Sequence, residues 1–138
     1  MHFARIARAL AALAMAHQAN GWKIHAYESY GCSVDKNTFY RTIQGAVDGC
    51  YTYGQEMPGT TCEQTEPGSS TTVNCTGDHW ADSILADAGT SCLFYYEGYC
   101  QGKQRIFQTE GKAECFDTQG LSSIASFICW DQDSIEEQ

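Results

Sequence analysis

Tyr27-Glu28-Ser29-Tyr30-Gly31-Cys32 returns later in the chain as Tyr96-Glu97-Gly98-Tyr99-Cys100: aromatic, acid, small residue, aromatic, cysteine. Tyr40-Arg41-Thr42 and then Cys50-Tyr51 follow the first copy. Phe107-Gln108-Thr109 and then Cys115-Phe116 follow the second. The same order twice in 138 residues reads as an internal duplication. The residues around each copy favour strands: 22–30, 38–43 and 71–75 in the first half, 93–96, 104–109 and 123–130 in the second. In the last of these, Ile124, Ser126 and Ile128 alternate with Ala125, Phe127 and Cys129, which sends the two sets to opposite faces of a sheet. Residues 54–70, with Pro58-Gly59 and Pro67-Gly68, read as a long surface loop. Residues 78–88 read as the one helix: Trp80, Ile84, Leu85 and Ala88 share a face, Asp78 caps the start and Gly89 ends it. The expected class is all-β with one short helix.

The eight cysteines are Cys32, Cys50, Cys62, Cys75, Cys92, Cys100, Cys115 and Cys129. An even number without Cys-x-x-Cys or zinc-finger spacing points to four disulfides rather than metal. The duplication makes Cys32–Cys50 and Cys100–Cys115 the equivalent bridges. Cys62–Cys75 then closes the Pro-Gly-Ser loop, and Cys92–Cys129 ties the start of the second unit to its last strand.

Disulfides need an oxidising compartment, and the N-terminus supplies a route to one. Arg5 and Arg8 precede an apolar run, and Ala14 and Ala16 offer the small residues that a signal peptidase reads. Residues 1–16 are therefore read as a signal peptide, 17–130 as one secreted β domain and 131–138 as an acidic tail. No later stretch approaches the ~18 apolar residues of a membrane span. The formal net charge is −9, and loss of Arg5 and Arg8 with the leader makes the remainder more acidic. An acidic surface repels phosphate backbones and anionic lipid heads, so nucleic acid is not an expected partner.

Catalytic patterns are sparse. Asp78, His79 and Asp82 cluster, but a helix-capping Asp beside a surface His accounts for them. Glu28 and Glu97 recur in the repeat and would be the only carboxylate pair for glycoside hydrolysis. Cleavage after Ala16 would expose His17, which with His25 or His79 would offer nitrogens to copper, yet no supporting ligand spacing accompanies it. No cofactor is expected, and the chain is read as a non-enzyme. Asn74-Cys75-Thr76 fits the N-glycosylation pattern at Asn74. Tyr27, Tyr30, Tyr96 and Tyr99 form a candidate binding surface, since tyrosine suits a site with one wet and one apolar end.

Two four-strand units, each opening with an aromatic-rich strand and a Gly-bearing turn, resemble the βγ-crystallin double Greek key. The second unit carries the closer match, Tyr95-Tyr96-Glu97-Gly98-Tyr99 with Ser122-Ser123-Ile124 entering the last strand. In its Tyr-rich opening, paired cysteines and ending at Ile124-Ala125-Ser126-Phe127-Ile128-Cys129, the chain is similar to fungal small secreted cysteine-rich proteins of the effector and killer-toxin-like group. The resemblance covers about residues 22–130, and the first unit departs from it where 54–70 separates its fourth strand. It implies a small disulfide-stapled β-sandwich of two Greek-key-like repeats, about 22–76 and 92–130, with a short linking helix. Members of that fold bind calcium through two acidic or amide residues ahead of a Ser-Ser pair. Here Thr118 and Gln119 stand in those places and Asp117 falls one too early, so a calcium site is not expected. The implied function is a secreted effector-like protein acting without catalysis on a host or neighbouring organism. A killer-toxin-like antimicrobial protein and a carbohydrate-binding module are the alternatives. The implied partner is a host or competitor surface component, a glycan or a protein receptor, met by a monomer.

Overall fold

The computed structural model describes residues 21–33, 39–66, 68–69, 71–76, 80–102, 105–108, 112–118, 120 and 122–131. The leader, His17, Asp78, His79, Gln119 and the tail beyond Asp131 lie outside the described residues. Among the described residues ten strands follow in order: β1 (Trp22–Tyr27), β2 (Tyr40–Gly45), β3 (Gly49–Thr52), β4 (Thr60–Thr65), β5 (Thr72–Asn74), β6 (Ser83–Ala86), β7 (Thr90–Tyr95), β8 (Arg105–Gln108), β9 (Glu114–Asp117) and β10 (Ser126–Asp131).

These strands make two antiparallel sheets, ordered β5-β4-β2-β1-β6-β9 and β3-β10-β7-β8. The topology explains the duplication. The first Greek key is β1, β2, β3 and β6; the second is β7, β8, β9 and β10. Within each sheet the second, first and fourth strands of one key stand side by side, and the next strand is the third strand of the other key. Thus β3 leaves its own key to pair with β10, and β9 leaves its own to pair with β6. The two keys fold as one body.

Period-two patterning drives this. Trp22, Ile24 and Ala26 of β1 are buried, whereas Lys23 and His25 on the other face are partly exposed. Ile43, Ile84, Phe94 and Phe127 complete the sandwich interior with no accessible surface. Rings cross between the sheets. Trp22 meets Tyr51 and Phe127 at centroid distances of 5.7 and 5.9 Å, and Phe94 stacks on Phe116 at 5.8 Å. Such aromatic pairs add about 0.5–1.5 kcal/mol each beyond their burial. Gly45 is required by this packing, because a Cβ there would lie 2.6 Å from the Trp22 ring.

Three expectations need correction. The helix read over 78–88 does not form in its described part, 80–88: β6 occupies Ser83–Ala86, with Ile84 and Ala86 facing the core and both flanks paired to β1 and β9. The spacing of Ile84, Leu85 and Ala88 fits a helix, but two sheet neighbours decide the outcome. Residues 54–70 are not all loop, since β4 pairs along the whole of β2 and with β5, adding a two-strand flap to the first key. The cysteine pairing differs as well. Cys62–Cys75 and Cys92–Cys129 form as expected, but the other bridges are Cys32–Cys115 and Cys50–Cys100. Exchange of β3 and β9 carries Cys50 and Cys115 away from their own keys, so each bonds the other key's first cysteine.

Burial places the Tyr53 hydroxyl well above its ordinary range, opposed in part by the positive charge of Arg41. Burial also raises Tyr27, with Tyr40 and Asp87 adding to the shift. Both groups favour the neutral form when folded. Their contribution is therefore complete below about pH 10, the ordinary tyrosine value, and is lost as pH rises through the folded values. Urea midpoints measured from about pH 8 to about pH 11 should fall at the alkaline end, and Tyr53→Phe should flatten that fall.

Candidate functional site

Each key turns its first strand into a tight corner before reaching its second: Tyr30–Cys32 in the first, Gly98–Cys100 in the second. Both corners use left-handed backbone, with φ of 74° at Gly31, 51° at Cys32, 60° at Tyr99 and 53° at Cys100. A buried serine pins each. The Cys32 N–H donates to Ser83 Oγ at 2.9 Å, and that hydroxyl donates to the Ser29 carbonyl at 2.6 Å. Correspondingly, the Cys100 N–H donates to Ser126 Oγ at 2.9 Å, and that hydroxyl donates to the Glu97 carbonyl. The Gly31 N–H donates to the Asp117 carboxylate, and the Tyr99 N–H donates to Thr52 Oγ1 at 2.8 Å.

These contacts come in pairs related by an approximate twofold axis. Asp82 N–H to Tyr27 carbonyl matches Ala125 N–H to Tyr95 carbonyl, both 2.9 Å; Thr118 N–H to Asp82 carbonyl matches Tyr53 N–H to Ala125 carbonyl, both 3.0 Å. Ala81 and Ile124 pair with each other across the axis. This register sets Tyr27 against Tyr95, Ser29 against Glu97, Gly31 against Tyr99 and Cys32 against Cys100. It is one residue off the register suggested by the repeated Tyr-Glu. Glu28 and Glu97 are consequently not equivalent positions, and their selection as a matched carboxylate pair loses its basis.

Three large aromatic side chains are exposed on segments anchored near the Ala81–Ile124 bridge. Tyr30 is 52% exposed and Tyr99 66% exposed on the two corners, and Trp80, beside Ala81, is 57% exposed. Both corners hang from the serines that open β6 and β10, two residues beyond the bridge. Of the expected tyrosine surface, Tyr30 and Tyr99 are there. Tyr27 is buried, its ring stacked on Tyr40 at 5.1 Å, and Tyr96 is half-buried. The expected helix sets Trp80 on one face with Ile84, Leu85 and Ala88, and does not single it out as a surface residue. Trp80 lies ahead of β6 and outside any strand, next to the buried Ala81, and its side chain is left in solvent.

Polar groups elsewhere are committed to structure. His25 is held on both ring nitrogens, by Thr42 Oγ1 at 3.0 Å across the β1–β2 pair and by Asp87 at 2.9 Å. This leaves neither nitrogen for a metal or a substrate proton. Asp82 accepts from the Ser123 hydroxyl at 2.7 Å, so the second serine of the Ser-Ser pair fastens a turn. Among the described residues no group of three or more His, Cys, Asp or Glu side chains is placed to hold a metal ion. Arg41 lines an open cleft with Met57 and the Cys62–Cys75 bridge, its guanidinium donating to Gln64 and to the Thr76 carbonyl. Among the described residues no helix is long and apolar enough to cross a membrane.

No protein-family model, curated protein or solved structure matches this chain.

The corner contacts make Ser126 more sensitive than an ordinary surface serine. Ser126→Ala removes an acceptor for the Cys100 N–H and a donor for the Glu97 carbonyl. It should cost about 1–3 kcal/mol in denaturant unfolding, and Ser83→Ala should behave alike. An exposed control such as Ser122→Ala should stay within about 0.5 kcal/mol of wild type.

Proposed function

We propose that this chain is a secreted, effector-like protein that acts without catalysis on a host or neighbouring organism. In this reading it binds a surface glycan through the end bearing Tyr30, Trp80 and Tyr99. The carrying observation is Tyr99. It is largely exposed at a left-handed φ of 60°, while the matching position of the other key is Gly31. A non-glycine residue costs roughly 1–2 kcal/mol there, and an exposed ring recovers little of that by packing. Retained strain of this kind is the mark of a residue kept for contact.

The remaining features support the same reading. Four disulfides suit an oxidising environment outside the cell. Exposed aromatic rings on a rigid frame offer flat apolar faces, and the adjoining Glu28, Tyr96 and Glu97 add polar edges; a sugar presents the same combination of apolar face and hydroxyl rim. Excess acidic charge disfavours direct attack on anionic lipid, which sets the toxin alternative behind this one.

Two measurements test the proposal together. Retention of the oxidised protein on a panel of plant and fungal cell-wall polysaccharides should fall at least about tenfold with Tyr30→Ala, Trp80→Ala and Tyr99→Ala combined, a loss of about 1.4 kcal/mol. The variant should keep the wild-type circular dichroism. Separately, Tyr99→Gly should raise stability by about 0.5–1 kcal/mol, the strain relieved less the entropy glycine adds to the unfolded chain, while weakening retention. Undiminished retention in the triple variant would sink the assignment of this end.

A further inference from the structure

β5 is the outer strand of the six-stranded sheet. One side pairs with β4, Thr72 opposite Thr65, Val73 opposite Gln64 and Asn74 opposite Glu63. Among the described residues no strand pairs with the other side. All three residues of β5 are exposed, including Val73 at 43%. Of the three other edge strands, β3 and β9 are each fastened to a corner of the opposite key by a disulfide, and β8 carries a charged residue, Arg105. β5 has only the bridge from Cys75 to Cys62, which faces inward along its own hairpin. An open edge carrying an exposed valine and no charge is a template for strand addition by a second copy.

The acceptor pattern Asn74-Cys75-Thr76 sits at the end of this edge. Its register places Asn74 on the same face as Glu63 and Thr42, the face of the sheet turned away from the sandwich core. A glycan attached there would project into solvent, alongside the open edge and far along the sheet from the β9 side. We propose that Asn74 carries an N-linked glycan and that the glycan shields the β5 edge against pairing with a second copy of the chain. The modification forms an N-glycosidic C–N bond between the Asn74 side-chain amide nitrogen and the anomeric carbon of the first sugar, while the anomeric C–O bond of a lipid-linked oligosaccharide breaks; the lipid pyrophosphate leaves and the amide nitrogen gives up one proton. The inference rests on the secretory part of the proposed function and not on its aromatic end.

The full chain would be expressed in yeast behind its own leader and, in parallel, behind a host leader, and the medium protein analysed by intact mass and peptide mapping before and after peptide N-glycosidase. The expected result is a loss of mass on treatment with conversion of Asn74 to Asp, and no such loss in Asn74→Gln or Thr76→Ala. Sedimentation should show the glycosylated protein as a monomer. The treated protein and Asn74→Gln should self-associate, and Val73→Lys added to Asn74→Gln should return it to monomer. Unmodified Asn74 in protein secreted behind the host leader overturns the proposal, and a deglycosylated protein that stays monomeric overturns the shielding role. Glycosylated product from the host leader alone counts against the chain's own leader, a separate failure from that of Asn74.

Discussion

Exchange of the third strands between the two Greek keys is the constraint from which the rest of the structure follows. With β3 in one sheet and β9 in the other, neither key can complete a sheet alone, and each corner packs on a strand that belongs to its neighbour. Cys32–Cys115 and Cys50–Cys100 lock this arrangement over sequence separations of 83 and 50 residues. Closing loops of that length removes roughly 4 kcal/mol of unfolded-chain entropy per bridge in the loop-entropy model. That is a large share of the 5–15 kcal/mol typical of a domain. The interior is modest in size and rests on Trp22, Tyr51, Phe94 and Phe127, so the bridges and the rings share the work of holding the two sheets together.

A frame fastened in this way can tolerate local strain. Left-handed backbone at Cys32, Tyr99 and Cys100 would be costly in a free loop. Here a disulfide, a buried serine and a side-chain acceptor, Asp117 or Thr52, hold each corner from three sides. Tyr30 and Tyr99 therefore stand on short turns whose backbone is fixed by several contacts. The same logic separates this end of the molecule from the outer face of the larger sheet. There Tyr27 stacks on Tyr40, and His25 is spent on Thr42 and Asp87.

Much of the fold was legible in the sequence because period-two patterning is a local signal. The β1, β2, β7 and β10 strands follow from alternation and β-branched or aromatic content, and the duplication follows from the recurring cysteine corners. Pairing between Cys62 and Cys75 was legible because the hairpin is short. What stayed hidden depends on long-range placement. Nothing local to Cys50 or Cys115 states that its strand crosses to the other sheet, so equivalence within each copy suggested the wrong two bridges. The stretch containing Ile84 and Leu85 satisfies both periods, and only its neighbours β1 and β9 settle it as a strand. The corner register was also ambiguous, because Tyr95-Tyr96 offers two tyrosines for one position; the matched serine hydrogen bonds select Tyr95. Trp80 was missed as a surface residue for the same reason as the helix was misread.

Peptide mapping of the oxidised protein under non-reducing conditions tests the strand exchange most directly. The account predicts linked peptides joining Cys32 to Cys115 and Cys50 to Cys100, beside Cys62–Cys75 and Cys92–Cys129. Peptides joining Cys32 to Cys50 and Cys100 to Cys115 would contradict it, since each key would then be closed on itself and the shared sheets could not form.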